Sequence, residues 1–325
     1  VEGSVRKAGN RLRLTAQLIE AAGGSHVWAG RYDREFTDVF AIQDEIVRAI
    51  VTELQVKLLE GEEARSWRKS TTNVQAYDYF LRAMQLRHRA ATRRDLELAI
   101  SYAKQAVALD PGFAHAQARL ARLHWVSVLT GFARDPLQTL SEAATGAQRA
   151  VELNPSIAAG HMLLGMMAIL RKEFDEGEAL LRKAMALEPE SSDTLGIVAT
   201  GLVLLGQHSE AVRLADLAMA LAPHHASYIY VAKGMALFCL ERFSEALQCI
   251  SAGRSGGYAF NFVTAYAAAA YSALGQDEQA RAEVRKLLES EPGLRLETLP
   301  FCAGLRLAQD RERLRRHILR AEAPA

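Results

Sequence analysis

The sequence predicts a mostly α-helical protein: an α-solenoid of about six helix-turn-helix units and a capping helix, behind a small N-terminal α+β segment. The first observation is proline spacing, since Pro155, Pro189 and Pro223 are separated by equal intervals of about 34 residues. A fixed period of this size is typical of stacked helical units, each of which buries its apolar face against the next. The second observation is that small residues recur at fixed distances before these prolines. The third is an alternating polar and apolar pattern, confined to the start of the chain.

The composition excludes several function classes. The 325 residues carry 39 Lys and Arg against 38 Asp and Glu, so no net charge attracts nucleic acid or an anionic membrane. No apolar run is long enough for a membrane span, and no signal-peptide pattern opens the chain. The unpatterned spacing of Cys239, Cys249 and Cys302 favours reduced thiols in a cytoplasmic protein over a disulfide framework or a metal site.

Three strands and a helix are predicted at the N-terminus. Arg11–Leu18 alternates polar and apolar residues, and turn signals separate it from strand-like sequence at Val1–Lys7 and His26–Tyr32, so an antiparallel meander is expected. A helix capped near Thr37 or Asp38 follows. Its apolar stripe recurs at three- and four-residue steps: Val39, Ile42, Ile46, Ile50, Leu54 and Leu58.

Residues 1–60 resemble a known domain. The stretch from Val1 through Gly30–Arg34, continued by Asp38–Ile46, is similar to the end of the TolB-like domain that precedes tetratricopeptide repeats in many bacterial signalling proteins. In that family the arrangement often follows a class III adenylate or guanylate cyclase domain, and sometimes a winged-helix DNA-binding domain. The resemblance, together with the strand-like start at Val1, implies that this chain is a piece of a longer protein whose effector domain lies upstream.

A connector at 61–73, which contains Trp67, leads into repeats over 74–292. Each proline is expected to end the second helix of a unit, because it lacks an N–H donor and disfavours helical geometry before it. Close crossing of the two helices requires small residues, and these stand twelve and five residues before the prolines: Ala99, Ala143, Gly177 and Ala211, then Ala106, Ala150, Ala184 and Ala218. With Leu164-Gly165, Gly206, Tyr271 and Gly275 in further slots, the segment resembles divergent tetratricopeptide repeats.

The repeats are not uniform. About four extra residues fall near Arg89–Arg94 and about ten around Thr130–Pro136, where we expect loops that are either part of a binding face or tolerated surface insertions. The fifth unit shifts register by one residue and ends in Ser255–Tyr258 in place of a proline, which predicts a looser corner. Residues 293–325 predict a capping helix from about Arg306 to Arg320 and a tail.

No catalytic or cofactor motif is present. Phosphate-loop, dinucleotide, zinc-protease and hydrolase signatures are absent, so we expect no catalytic residue, no cofactor, no metal and no enzymatic activity in this segment. His224-His225 follows Pro223 without further ligands nearby, which favours an exposed or capping role. The arginines of the last helix, Arg311, Arg313, Arg315, Arg316 and Arg320, suit a helix C-terminus better than nucleic-acid binding.

The first helices of successive units carry an apolar stripe that is a candidate partner groove. It contains Met162, Met166, Ile197, Thr200, Tyr228, Met235, Phe238, Phe262 and Tyr266. These residues are either core between helices or a groove for a helix or an extended peptide. The expected partner is a protein or peptide, and the upstream effector domain of the same protein is one candidate.

Two functions follow from the resemblance. The first is a non-catalytic regulatory segment at the C-terminus of a class III cyclase, and the alternative is the repeat region of a winged-helix transcriptional regulator. The oligomeric state is not predicted.

Overall fold

The structure is a computed structural model that describes residues 2–8, 11–19, 26–35, 70–86, 92–222, 227–258, 260–290, 293–295 and 299–322. Contacts divide the chain into two compact units, Val1–Leu81 and Arg82–Ala325. The predicted helix from Thr37, the connector residue Trp67 and the His224-His225 pair lie outside the described residues.

The first unit contains the predicted three-stranded meander. Strands β1 (Glu2–Ala8), β2 (Arg11–Ile19) and β3 (His26–Glu35) pair antiparallel in the order β1-β2-β3. Leu14 of β2 lies opposite Val5 on one side and Tyr32 on the other. Helix α1 (Val74–Gln85) follows, and Oδ1 of Asn73 accepts hydrogen bonds from the backbone N–H groups of the first turn, as an N-cap residue does.

Helices arranged in sequential pairs form the second unit. We number the repeats by their order in the sequence, counting α1 with α2 as repeat 1, and each later repeat has a first and a second helix. The bounds are α2 (Arg93–Leu109), α3 (Ala114–Leu129), α4 (Pro136–Leu153), α5 (Ala158–Leu170), α6 (Phe174–Leu187), α7 (Ser192–Leu204), α8 (His208–Leu221), α9 (Ser227–Cys239), α10 (Phe243–Ser255), α11 (Asn261–Ala273) and α12 (Asp277–Ser290), then α13 (Pro300–Ala303) and α14 (Ala308–Glu322).

The helix bounds confirm the period and its interruption. The first helices α5, α7, α9 and α11 begin at Ala158, Ser192, Ser227 and Asn261. The steps from α5 to α7 and from α9 to α11 are equal, and the step from α7 to α9 is one residue longer. The one-residue shift predicted for the fifth unit therefore lies before its first helix.

The prolines end the second helices as predicted. Pro111, Pro155 and Pro189 each stand two residues beyond the end of a second helix. A proline in this place cannot continue the helix, because it has no N–H to donate and restricts the residue before it. The regular proline spacing therefore marks the turns between repeats.

Small residues lie where the helices of a repeat cross. The predicted alanines are fully buried, and a Cβ built on Gly177 of α6 would come within 2.9 Å of the carbonyl oxygen of Gly165 on α5. Real Cβ atoms do not approach backbone this closely. The two helices of repeat 3 therefore touch backbone to backbone, which is the close crossing that the spacing predicts.

The ten-residue insertion in repeat 2 mainly lengthens two helices, whereas the sequence predicted a loop. The sequence predicts a loop around Thr130–Pro136, but α3 has 16 residues where α5 has 13, and α4 has 18 where α6 has 14. Seven of the ten residues therefore lengthen the helices and only three enlarge the turn. Asp135 caps α4 by accepting from the N–H of Gln138, with Pro136 in the first helical turn, so the longer helix is specified locally.

The end of repeat 5 also differs from expectation. The sequence predicts a looser corner at Ser255–Tyr258, but the N–H of Tyr258 donates to the carbonyl of Gly253 and that of Gly257 donates to Arg254. Gly257 has a φ of +92°. This is a Schellman cap, in which glycine supplies the left-handed residue that ends the helix. A glycine stop here replaces the proline stop that ends repeats 1, 2 and 3.

The C-terminal segment, residues 299–322, covers more than the last repeat. Leu314, Ile318 and Ala321 of α14 are buried, as expected for the capping helix. The segment also runs back to repeat 4, where the N–H of Arg306 donates to the carbonyl of Leu204 over 2.7 Å. Helix α11 is consequently buried along nearly its whole length, as a helix covered on all sides must be.

Candidate inner cavity

The first helices form one face of the array, which we call the inner face. Consecutive first helices α3, α5, α7, α9 and α11 contact one another, while the second helices α4, α6, α8 and α10 pack mainly on their own first helix and on the first helix of the next repeat. All nine predicted groove residues lie on α5, α7, α9 and α11. The structure divides them into two groups.

Five of them line a single depression, which we call the inner cavity: Met162, Met166, Ile197, Thr200 and Tyr228. Residues that the sequence did not single out complete it: Arg122, Trp125, Val126, Leu129, Ala159, Leu163, Tyr258 and Phe301. Its volume is about 100 Å³. Pockets for cofactors and small ligands usually span roughly 300–1,000 Å³. The inner cavity is therefore the size of one large side chain.

The walls of the inner cavity are mostly apolar. Met162, Met166 and Trp125 are each less than a tenth exposed, and Ile197 is half-buried. Thioether side chains adapt to different apolar partners because they rotate freely and are polarisable. The hydroxyl of Thr200 donates to the carbonyl of Gly196 on its own helix, so it offers little polar character to the cavity.

A charged cluster forms the rim. The guanidinium of Arg122 on α3 donates from both terminal nitrogens to the carboxylate of Asp193 on α7, and the hydroxyl of Tyr228 on α9 donates to Oδ1 of Asp193 over 2.5 Å. Burial opposes the charge of Arg122, but the charge and hydrogen bonds of Asp193 outweigh it and raise the pKa of Arg122. The cluster links three repeats and has its charges neutralised internally.

Tyr258 closes the cavity from the turn after repeat 5. Burial raises the pKa of Tyr258, and the neighbouring positive charge of Arg122 opposes this shift. Its ring lies 4.3 Å from that of Phe260 and 6.0 Å from that of Tyr228, centroid to centroid. Tyr258 thus presents a neutral aromatic surface, held by neighbouring aromatic rings.

The remaining predicted groove residues are packed inside the array. Met235, Phe238 and Tyr266 are 0% exposed and Phe262 is 3% exposed. The ring of Phe238 meets that of Tyr266 edge-on at 5.4 Å and that of His317 on α14 at 6.4 Å. The sequence left two alternatives for the predicted groove residues, core between helices or a binding groove. The burial of these four residues supports core.

The arginines of α14 contact the protein itself. Arg313 pairs with Glu241 and Asp310, Arg320 pairs with Asp277, and Arg311 donates to the carbonyl of Leu305. The pairs with Glu241 and Asp277 tie α14 to the end of repeat 5's first helix and to the start of α12.

Within the described residues, no helix combines the length and apolar character needed to cross a membrane.

Comparison with known proteins gives one curated relative and many solved structures. The relative, "Putative adenylate cyclase 3" of Rhizobium meliloti (strain 1021), is 35% identical over 180 residues, which are 55% of this chain and 30% of that protein. The matched region of this chain therefore spans less than a third of its relative's length. No protein-family model matches the chain.

Two structural neighbours illustrate the fold. The APC/C hetero-tetramer Cut9-Hcn1 matches at a TM-score of 0.50 and 14% identity, covering 75% of this chain and 46% of that one. TTC0263, a thermophilic TPR protein of Thermus thermophilus, matches at a TM-score of 0.44 and 17% identity, covering 66% and 99%. At such identities the likeness concerns the fold alone. With its paired helices and its regular repeat period, the second unit has the tetratricopeptide-like α-solenoid fold.

Proposed function

We propose that this chain is a non-catalytic protein-interaction segment that binds a partner at the inner cavity. The observation that carries the proposal is the construction of the cavity, which has apolar walls and a rim whose hydrogen bonds are satisfied within the protein. A charged ligand would have to compete with Asp193 for Arg122. An apolar side chain only has to displace water, which is the usual driving force of hot-spot contacts.

The size of the cavity sets the partner class. A volume of about 100 Å³ accepts one leucine-sized or phenylalanine-sized side chain, so the ligand is a protein segment that anchors one such residue on the inner face. Tetratricopeptide folds bind protein or peptide partners, and the helix-in-groove mode uses anchors of this kind.

We further propose that the chain is the C-terminal region of a bacterial class III adenylate or guanylate cyclase and acts in the cytoplasm. The name of the Rhizobium relative favours this reading over the winged-helix alternative. The domain boundaries proposed above, 1–60, 61–73, 74–292 and 293–325, belong to this proposal. In it, the array influences an upstream effector domain by binding differently to its two states.

Site-specific photo-crosslinking tests the binding proposal. A photoreactive phenylalanine analogue replaces Thr200 in the inner cavity or, as a control, Leu217, which is 41% exposed on a second helix. After irradiation in the host bacterium, we expect a discrete adduct from position 200 that is absent from position 217. Ile197→Glu should reduce that adduct at least tenfold, because a carboxylate at the cavity wall opposes an apolar anchor. Equal labelling from both positions would contradict the proposal.

A second experiment tests the link to a cyclase. Cyclic-nucleotide synthesis by the upstream polypeptide is compared with and without this chain attached, and with Ile197→Glu in the attached form. We expect the chain to change the rate and Ile197→Glu to cancel part of that change. A crosslinked partner without any effect on cyclase output would keep the binding proposal and remove the cyclase proposal.

A further inference from the structure

We propose that His208, Cys239 and Asp310 form a zinc site that fastens the C-terminal helix to the array. His208 stands at the start of α8, Cys239 at the end of α9 and Asp310 in the first turn of α14. They are 8%, 5% and 1% exposed, and each offers one ligand atom within 4.8 Å of the others. Three different elements thus bring an imidazole, a thiol and a carboxylate to one buried point.

The geometry requires only small movements. Nε2 of His208 lies 2.7 Å from Oδ2 of Asp310. Zinc–ligand distances of roughly 2.0–2.3 Å place tetrahedral ligand atoms about 3.5 Å apart. The imidazole and carboxylate would therefore separate by less than about 1 Å, and the thiol would approach by about the same amount. Rotation about side-chain bonds supplies shifts of this size.

The surrounding charges suit a divalent ion. Arg313 donates to Oδ1 of Asp310 over 2.8 Å and to Oε1 of Glu241 over 2.8 Å. Oδ2 of Asp310 remains for the metal, and Arg313 holds the carboxylate in place, as residues around a metal site do. Glu241 balances the charge of Arg313, while the carboxylate of Asp310 and a thiolate of Cys239 would balance the two charges of Zn²⁺.

The ligand types select the metal. A sulfur ligand with an imidazole favours Zn²⁺ over Mg²⁺ or Ca²⁺, which take oxygen ligands. Three protein ligands leave one tetrahedral position, which water fills in zinc sites of this kind. The simpler explanation, a hydrogen bond between His208 and Asp310 without a metal, predicts no metal binding. Measuring whether the chain binds Zn²⁺ therefore distinguishes this alternative from the zinc site.

Metal analysis of the untagged chain provides the test. The protein is stripped with a chelator, loaded with Zn²⁺ and dialysed, and we expect one zinc per chain by mass spectrometry. With Co²⁺ as the probe, we expect a thiolate-to-cobalt charge-transfer band. Cys239→Ser should remove the band and weaken Zn²⁺ binding at least tenfold. Cys249→Ser, which changes a half-buried thiol on α10, is the matched control and should keep both. Substoichiometric zinc, or a band that survives in Cys239→Ser, would overturn the proposal.

Thermal unfolding gives a second test, in which the change of Tm on addition of Zn²⁺ is compared between the wild-type chain and a variant that should not bind the metal. Zn²⁺ should raise the Tm of the wild-type chain and slow amide exchange in residues 308–322. Asp310→Asn keeps a hydrogen-bond acceptor for His208 but removes the carboxylate, so its Tm should not respond to Zn²⁺. A wild-type Tm that does not rise with Zn²⁺ would leave the hydrogen bond as the whole explanation.

Discussion

The hydroxyl of Tyr228 on α9 donates a hydrogen bond of 2.5 Å to the carboxylate of Asp193 on α7. The same carboxylate receives the guanidinium of Arg122 from α3, so one half-buried acid connects repeats 2, 4 and 5. Solenoids usually join only neighbouring repeats. Here a polar cluster at the rim of the inner cavity reaches across repeat 3.

Tyr228→Phe removes the hydroxyl and keeps the ring. We expect the free energy of unfolding to fall by about 1.5–3 kcal/mol, because the lost hydrogen bond is made to a charged group. Urea denaturation followed by circular dichroism measures the change. Tyr271→Phe is the control, since the hydroxyl of Tyr271 makes no hydrogen bond within the described residues. A loss of the same size in both variants would show that the bond to Asp193 contributes nothing specific.

The double change Met235→Glu and Phe238→Glu tests which predicted groove residues belong to the core. Both side chains are 0% exposed, and burying two unpaired carboxylates costs more than about 4 kcal/mol. We expect loss of the cooperative thermal transition. Ile197→Glu, at a half-buried cavity position, should retain a native helical spectrum. A folded double variant would show that α9 presents these residues to solvent.

Gly206→Ala tests the docking of the C-terminal segment. Gly206 has a φ of +83°, and an added Cβ would lie 2.5 Å from Cδ1 of Leu307. Gly275 occupies the same slot in repeat 6 with a φ of +71° but has no atom within 4 Å of an added Cβ. Both alanine variants should lose roughly 1 kcal/mol through backbone strain.

The difference between these two glycine variants isolates the contact with Leu307. We expect Gly206→Ala to lose about 1 kcal/mol more than Gly275→Ala and to increase amide exchange in residues 308–322. If the two variants are equally stable and exchange alike, the side chain of Leu307 moves aside without cost.

The stability of the array should depend on pH through His115. Burial lowers the pKa of His115 from 6.5 to about 4. Between these values the unfolded chain binds a proton that the folded chain does not, so stability is full above about pH 6.5 and falls towards about pH 4. Urea midpoints at about pH 7 and about pH 5 should differ less in His115→Gln than in the wild type. An unchanged difference would show that other groups cause the pH dependence.

The period of the sequence predicted the helices because every repeat packs its two helices in the same way and therefore needs the same residue types at the same positions. Proline stops at Pro155 and Pro189 and buried alanines such as Ala150 and Ala184 are local signals, and they give element type and order directly. The insertion in repeat 2 was misplaced because extra residues can either lengthen helices or enlarge a turn. The cap at Asp135, followed by a proline, decides between these two outcomes, but the same residue pair is also common in loops.

The site was predicted only in part because it is made by long-range contacts. The repeat register placed Met162 and Ile197 on the inner face, but Arg122, Tyr258 and Phe301 come from a lengthened helix, a turn and the returning C-terminal segment. The repeat period does not predict contacts between residues from such different parts of the chain.

The contact between His208 and Asp310 was also not predicted, because it joins residues that lie far apart in the sequence. Their separation of 102 residues conceals it from any search for short ligand spacings, because such searches depend on ligands that lie close together in sequence.

The return of residues 299–322 to repeat 4 changes how the array should fold. An open repeat array can gain or lose its terminal repeats one at a time, because each interface depends only on adjacent repeats. The hydrogen bond from Arg306 to Leu204 closes a large loop around repeats 5 and 6, so these repeats and α14 should melt as one cooperative block. During synthesis this block cannot be completed until residues 308–322 have been made, and until then the apolar surface of α11 stays uncovered for chaperones to bind.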